Sequence, residues 1–199
     1  MPVMSAIEQM FCRSTPWRAF ARRTILPWAT SGTPLAGDVL ELGAGSGAMA
    51  EGVARTHPQV RLTVTDLDPA MVRAASHRLS GLPGVAVKQA DVTSLPFDDR
   101  SFDAVTSYLM LHHVIDWPTA LVEAARVLRH DGVLLGYDLT NTAFARLIHR
   151  ADRSPHRMLA ADELRRGLEA AGFEDVMVRP SYRNHVMRFR ARRPRAQTC

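Results

Sequence analysis

The clearest structural signal in this 199-residue chain is the stretch Glu41-Leu-Gly-Ala-Gly-Ser-Gly47. It continues an apolar run at residues 39–42, which has the length of a buried strand, and it leads into a helical pattern. Glycines between a strand and a helix let a ligand approach the backbone more closely than any side chain would permit. The stretch therefore predicts a nucleotide-like ligand site.

Two carboxylates follow this loop at the ends of the next two strand candidates. Asp66 lies about twenty residues beyond the loop, where a carboxylate can accept hydrogen bonds from both hydroxyls of a ribose. Asp91 comes after the third strand candidate, where it can either cap a turn or accept from the amine of an adenine. Gly43, Gly45 and Ala48 also satisfy the dinucleotide fingerprint, so these residues alone leave NAD and S-adenosylmethionine as alternatives.

From Asp38 onward, short apolar runs alternate with helical patterns, which is typical of a parallel sheet with helical crossovers. The strand candidates lie at residues 39–42, 62–65, 85–88, 102–107, 133–137, 173–178 and 185–192. About six residues join the last two strands, too few for a helical crossover, so these strands should pair antiparallel. A chain of this length and 46% apolar content fits a single α/β domain.

Three helices have recognisable ends. Asp68 and Asp116 each supply an N-cap with a proline in the first turn, and Gly172 ends a helix predicted at residues 162–171 in a left-handed cap. The side chains predicted to face the core are Val72, Ala75, Leu79, Leu121, Ala124, Ala125, Leu128, Leu164, Leu168 and Ala171.

A further helix is predicted ahead of the domain, at residues 16–28. Its residues Trp17, Phe20, Ala21, Thr24 and Trp28 fall at helical spacing. We therefore divide the chain into an N-terminal helical segment (1–36), which covers the cofactor or substrate site, and a domain (37–199). A helix that lies on a membrane surface is the alternative.

Charge is distributed unevenly. The chain has 25 Lys and Arg against 20 Asp and Glu, and seven of the basic residues follow Val178. In the last strand candidate three arginines alternate with three apolar residues, which predicts one buried and one solvated face. Base-stacking aromatic residues are sparse, which disfavours nucleic acid as a partner.

Cysteine usage and hydropathy bear on the compartment. Cys12 and Cys199 stand near opposite ends of the sequence, which gives no metal-ligand spacing and indicates a reducing compartment. No run approaches the roughly 18 apolar residues of a spanning helix, and the N-terminus lacks the layout of a secretory signal. We therefore expect a cytoplasmic protein with neither a transmembrane segment nor a metal site.

From Asp38 to about Val178 the chain resembles the class I S-adenosylmethionine-dependent methyltransferases of the small type 11 kind. Five segments carry the resemblance in the family's order: residues 41–47, Val64-Thr-Asp-Leu-Asp-Pro-Ala-Met71, Gln89-Ala-Asp-Val92, residues 95–105 running into Leu111-His-His-Val114, and Arg126-Val-Leu-Arg-His-Asp-Gly132. The resemblance implies a Rossmann-like doubly wound sheet of seven strands in the order 3-2-1-4-5-7-6. That sheet is mostly parallel, with the C-terminal seventh strand antiparallel.

The resemblance also implies a cofactor, S-adenosylmethionine, and its product, S-adenosylhomocysteine. Glu41, Gly43, Gly45 and Gly47 would surround the methionine part, and Asp66 would bind the ribose. The adenine would lie between Leu67 and Val92, with its amine on Asp91. The predicted cofactor set is completed by Ala44, Met71 and Ser107.

The methyl group of a sulfonium is already activated, so the main task of such an enzyme is to hold the acceptor in line at about 3 Å. A hydroxyl or ammonium acceptor must also lose a proton, and Tyr108, His112 and His113 follow the fourth strand where a general base could reach it. Histidine suits this role near neutral pH. Packing or capping by the histidine pair is the alternative, and Asp138 is a second candidate base.

The sequence thus predicts methyl transfer to an oxygen or nitrogen of a small molecule by a monomer or homodimer. A methyltransferase-like binding module without turnover and an RNA methyltransferase are the alternatives. An NAD-dependent oxidoreductase would normally add a Tyr and a Lys four residues apart, and the single lysine, Lys88, has no such tyrosine. Residues 140–160, rich in arginine, are either part of an acceptor pocket for anionic groups or a partly helical cover.

Overall fold

The computed structural model describes residues 21–30, 32–142, 157–182 and 184–196. Seven strands form one sheet in the order β3-β2-β1-β4-β5-β7-β6, which confirms the predicted topology. Their bounds are Asp38–Leu42 (β1), Arg61–Asp66 (β2), Val85–Gln89 (β3), Phe102–Tyr108 (β4), Leu128–Leu139 (β5), Glu174–Ser181 (β6) and Val186–Arg192 (β7). Strands β1 to β5 pair in parallel, whereas β7 runs antiparallel to both β5 and β6.

Helices cover both faces of this sheet. Their bounds are Leu26–Thr30 (α1), Ala48–Thr56 (α2), Pro69–Leu79 (α3), Trp117–Val127 (α4) and Ala161–Ala170 (α5). A π-helical turn at Ala21–Ile25 precedes α1, and a 3-10 turn at Leu111–His113 lies between β4 and α4. One core packs α1, α2 and α3 on the sheet, and the other core packs α4 and α5 on the opposite face. The fold is therefore a doubly wound three-layer sandwich.

The predicted caps are present. The Asp68 side chain accepts a hydrogen bond from the Ala70 amide at 2.7 Å, and that of Asp116 accepts from the Thr119 amide at 3.4 Å. Gly172 has a φ of 86°, as the left-handed end of a helix requires. Leu128 was wrongly placed on the helical face of α4: the helix ends at Val127, and Leu128 is extended and begins β5.

The N-terminal helix differs from its prediction in the face that it buries. Residues 16–20 lie outside the described residues. In the described part Ile25, Leu26 and Ala29 are buried, whereas Thr24, predicted on the apolar face, is exposed. A π-helical turn closes its hydrogen bonds over five residues instead of four, so the direction in which each side chain points changes along this segment.

The arginine face of β7 is only partly solvated, which corrects the expectation of one solvated face. The alternating apolar residues, Met187, Phe189 and Ala191, are buried as predicted. Arg188, Arg190 and Arg192 are half-buried, because β7 lies between β5 and β6. A strand with neighbours on both sides leaves less room for solvent than the alternating pattern alone suggested.

Candidate functional site

The carboxyl ends of the parallel strands meet at one edge of the sheet, and the glycine loop lies there between β1 and α2. Gly43, Gly45 and Gly47 have φ angles of 59°, 53° and 79°, a region that L side chains rarely adopt. A Cβ on Gly43 would lie 2.1 Å from Cγ of Met110. The Ala44 amide donates to the Thr65 carbonyl at 2.9 Å, which ties the loop to β2. Glycine is therefore required at Gly43 by both conformation and space.

Asp66, at the end of β2, holds this loop in place. Its Oδ2 accepts from the Gly45 amide at 2.8 Å, and its Oδ1 accepts from the Asp68 amide at 2.9 Å. Burial raises the pKa of Asp66, and the two backbone amides partly offset that effect. A carboxylate has about four acceptor positions, so two bonds to the backbone leave capacity for ligand hydroxyls.

Glu41 is the most unusual residue of the site. Its side chain is 1% exposed, and Oε2 has no hydrogen-bond partner among the described residues. Burial raises the pKa of Glu41 to about 8, and the backbone amide of Ala50 only partly counteracts it. Unsatisfied buried carboxylates are rare in native proteins, because losing hydration costs several kcal/mol. Such an acceptor fits a ligand that brings a cationic donor to this edge of the sheet.

Tyr108 lies at the end of β4 and packs in the same core as the β1 residue Val39. Its hydroxyl is buried without a hydrogen-bond partner in the described ranges, as is the hydroxyl of Ser107. Burial raises the pKa of Tyr108 well above its usual range, and the negative charge of Glu41 acts in the same direction. Three predicted site residues therefore place unsatisfied polar atoms close to the glycine loop.

The residues predicted around the adenine differ in their burial and in their hydrogen bonds. Oδ1 of Asp91 accepts from the Thr93 amide at 2.9 Å and from the Thr93 hydroxyl at 2.7 Å, so it caps a local turn. Val92 and Met71 are buried, and Leu67 is half-buried. The structure brings Asp66 and Asp91 to one edge, because β2 and β3 are adjacent parallel strands.

His112 and Asp138, two separate candidates in the sequence, form one buried pair. Nδ1 of His112 is hydrogen-bonded to Oδ1 of Asp138, and the His112 amide donates to Oδ2 at 3.2 Å. Oδ1 also accepts from the Leu139 amide at 2.7 Å. The exposed fractions are 3% for His112 and 0% for Asp138. Sequence reasoning missed this pairing because 26 positions separate the two residues.

His113 and Tyr108 have different positions from that of His112. His113 is half-buried, and its ring centroid lies 4.0 Å from that of His112. Tyr108 packs on the opposite face of the sheet, with its ring centroid 5.9 Å from that of Tyr137. Of the three catalytic candidates, His112 is the one with a hydrogen bond to Asp138.

The arginine-rich stretch at residues 140–160 is described only at its ends, since residues 143–156 lie outside the described part. The Arg157 amide donates to the His112 carbonyl at 2.8 Å, and its guanidinium pairs with Glu163 at 2.7 Å. Within the described ranges, no three His, Cys, Asp or Glu side chains cluster to hold a metal ion. No helix there is long and apolar enough to span a membrane.

Comparison with known proteins gives a consistent set of relatives. Residues 40–136 match a family model described as a methyltransferase domain. The chain is 35% identical over 127 residues to a ubiquinone/menaquinone biosynthesis C-methyltransferase of Desulfotalea psychrophila, covering 64% of this chain and 49% of that protein. It is 32% identical over 151 residues to a malonyl-acyl-carrier-protein O-methyltransferase of Geobacter sulfurreducens, covering 70% and 57%. The chain thus spans about half the length of these relatives.

Among solved structures, the (4+2)-cyclase SpnF has a TM-score of 0.75 at 22% identity, covering 93% of this chain and 85% of that one. At that identity the likeness shows the fold alone. It also shows that one fold supports reactions of different kinds, so the reaction has to be argued from the site. The matched domain model, the relatives above 30% identity and the 3-2-1-4-5-7-6 strand order together show that the chain belongs to the class I S-adenosylmethionine-dependent methyltransferase family.

Proposed function

We propose that this protein transfers a methyl group from S-adenosylmethionine to an oxygen or nitrogen atom of a small molecule. The observation that carries the proposal is the buried Oε2 of Glu41, which has no hydrogen-bond partner in the described residues and lies on the strand that leads into the glycine loop. S-adenosylmethionine has an ammonium and a sulfonium group, and either positive charge would favour an ionised carboxylate nearby. A dinucleotide would instead bring a negatively charged diphosphate to this loop, where Glu41 offers it no favourable charge.

Different residues of the chain would bind different parts of the cofactor. The methionine part would approach the backbone at Gly43, Gly45 and Gly47. Ala44 is in the same loop, and Glu41 is on the strand that leads into it. Asp66 would accept from the ribose hydroxyls through acceptor positions that its two backbone bonds leave available. The adenine contacts would come from Leu67, Met71, Asp91 and Val92, and Ser107 would face the methionine side. When bound, the cofactor supplies a methyl group on a positively charged sulfur.

We assign the general base to His112. Asp138 accepts a hydrogen bond from Nδ1 of His112. This bond favours the His112 tautomer that has its proton on Nδ1, in which Nε2 is the basic nitrogen. A hydroxyl acceptor would pass its proton to Nε2 as the methyl group is transferred, whereas an ammonium acceptor would lose a proton to Nε2 before its nitrogen attacks. Asp138 would stabilise the imidazolium that forms and hold the ring in position. His113 and Tyr108 would line the acceptor side without accepting that proton.

Calorimetric titration tests the cofactor assignment. We expect S-adenosylmethionine and S-adenosylhomocysteine to bind, NAD not to bind, and Asp66→Ala to lose at least about tenfold in affinity, equal to about 1.4 kcal/mol. Asp162→Ala, an exposed carboxylate in the first turn of α5, is the matched control and should leave affinity unchanged. Binding of NAD alone, or of none of the three by a folded sample, would refute the assignment.

A methyltransferase-like binding module without turnover is the alternative, because the glycine loop and Asp66 support cofactor binding and not, by themselves, catalysis. Detection of S-adenosylhomocysteine during incubation with panels of phenols, amines and carboxylates distinguishes a binding module from an enzyme.

The contacts of the C-terminal arginines argue against an RNA methyltransferase. Arg192 and Arg195 pair with Asp131, and Arg193 donates to backbone carbonyls. Side chains engaged in this way contribute less to phosphate binding.

Two further assignments belong to this proposal. The N-terminal segment would cover the cofactor or substrate site; of its residues 1–36 the structure describes 21–30 and 32–36, where Trp28 packs edge-on against Tyr137 with ring centroids 5.7 Å apart. The protein would work as a monomer or homodimer. Light scattering on the purified protein measures its oligomeric state directly.

A further inference from the structure

Arg188 is a cation without a carboxylate partner in the described part of the chain. It is half-buried on β7, and its Nε is buried without a hydrogen-bond partner there. Among the described residues, its Nη1 donates a hydrogen bond to the Trp28 carbonyl at 3.3 Å, which is a neutral acceptor. Arg192, four residues along the same strand, has Asp131 at 3.4 Å and Asp175 at 3.2 Å. A buried guanidinium nitrogen without an acceptor is uncommon in native proteins, so we expect Arg188 to have an anionic partner from outside the described residues.

The Trp28 ring lies beside this guanidinium, and two further aromatic rings pack against Trp28. The guanidinium lies 6.0 Å from the ring centroid of Trp28, and the Trp28 ring is edge-on to Tyr137 at 5.7 Å and to Tyr182 at 5.8 Å. The Tyr182 side chain is 58% exposed, although its φ of 49° is costly for an aromatic residue. A large exposed ring held in a strained turn is a contact surface more than a contribution to the core. We refer to Trp28, Tyr182 and Arg188 as the aromatic-arginine surface.

The aromatic-arginine surface lies at the same edge of the sheet as the cofactor site. Arg188 stands directly opposite Tyr137 in the antiparallel register of β5 and β7, so the two side chains share one face. Tyr137 contacts Tyr108, which ends β4, and Asp138, the next residue along β5, points to the other face of the sheet at the same edge. The β6–β7 turn that carries Tyr182 is tied to this edge, because the Thr140 amide donates to the His185 carbonyl at 3.1 Å.

We propose that the aromatic-arginine surface recognises an anionic group, a carboxylate or a phosphate, on a small planar acceptor. The proposal rests on the methyltransferase function argued above and names its substrate class. Arg188 would take the anion in a charge-assisted hydrogen bond through its Nη groups, since its Nε is buried. Tyr182 and Trp28 would cover the planar body. A nucleic acid fits less well, since polyanion binding needs many accessible cations and the arginines at 192, 193 and 195 are engaged.

The test compares two probes that differ only in charge, 4-hydroxybenzoate and 4-hydroxybenzamide. Binding to the protein saturated with S-adenosylhomocysteine is measured by calorimetry and by ligand-observed NMR. We expect the benzoate to bind about tenfold tighter than the benzamide to the unmodified chain, because a charge-assisted hydrogen bond replaces a neutral one. Arg188→Gln should abolish this preference, and Arg188→Lys should retain part of it. Tyr182→Ala should weaken both probes equally.

Arg195→Gln is the matched control. It removes the same unit of charge from an exposed side chain that already pairs with Asp131, so it should leave the preference unchanged. Equal affinity for the two probes, no binding of either, or equal losses in Arg188→Gln and Arg195→Gln would overturn the inference. Binding of a ten-nucleotide oligouridylate that depends on Arg188, without binding of the benzoate, would overturn it in favour of nucleic acid. S-adenosylhomocysteine affinity, measured separately, reports on the proposed function itself.

Discussion

Glu41→Gln should make this protein more stable at neutral and alkaline pH, with a gain that grows as the pH rises. The glutamate is 1% exposed with an unsatisfied Oε2, and burial raises its pKa from the usual 4.5 to about 8. The two pKa values differ by about 3.5, and each pKa unit corresponds to about 1.4 kcal/mol. The free energy of unfolding therefore carries a penalty of up to about 5 kcal/mol at high pH. Local relaxation and water entry should reduce it to about 2–3 kcal/mol.

The direction of this pH dependence follows from the number of protons that the folded and unfolded chains bind. Between pH 4.5 and about 8 the folded chain keeps a proton on Glu41 that the unfolded chain has lost. Stability linked to this group is therefore complete below pH 4.5 and decreases as the pH rises through about 8. Glutamine cannot ionise, so the variant lacks this slope.

Urea unfolding followed by circular dichroism, at intervals from about pH 5 to pH 8.5, measures the effect. Glu169→Gln makes the same chemical change at an exposed position of α5 and should follow the unmodified protein. Parallel pH profiles for Glu41→Gln and the unmodified chain would refute the reasoning, because they would mean that Glu41 is hydrated or paired in the folded state.

Three further predictions concern ligands and the loop. Binding of S-adenosylmethionine near pH 7 should release up to about one proton, since a cationic ligand favours ionised Glu41; calorimetry in buffers of different ionisation enthalpy should show no release in Glu41→Gln. Gly43→Ala should cost at least about 2 kcal/mol more than Gly32→Ala in urea unfolding, because both glycines have positive φ but only Gly43 has Met110 in the way. A similar cost for the two would refute the clash. Asp138→Asn should lower the methyl-transfer rate at least about 100-fold and shift its pH profile, with S-adenosylhomocysteine affinity within about twofold; an unchanged rate would exclude His112 as the base.

Sequence reasoning predicted best the caps and turns that depend on interactions between residues a few positions apart. Asp68 and Asp116 cap helices through amides two or three residues away, so their roles can be read from neighbouring positions. The positive φ of Gly43, Gly45 and Gly47 likewise follows from a tight turn between a strand and a helix. Strand order came from resemblance to a family, since alternation alone does not specify which strands are neighbours. The errors at Leu128 and Thr24 fall at element boundaries, where a single residue changes the direction of a side chain.

Sequence alone was enough to predict the α/β class, the glycine loop and the carboxylates that follow it, because each depends on periodicity or on contacts between near neighbours. The partners of those residues became visible only in the folded chain. The Asp138–His112 pair, the orphaned Oε2 of Glu41 and the position of Arg188 against Trp28 arise from strands and turns brought together across the sheet. Arg188 and Trp28 are 160 positions apart, and no local pattern records such a contact. Burial and charge pairing are properties of the packed chain, so the pairing of His112 with Asp138 cannot be read from the residues around either one.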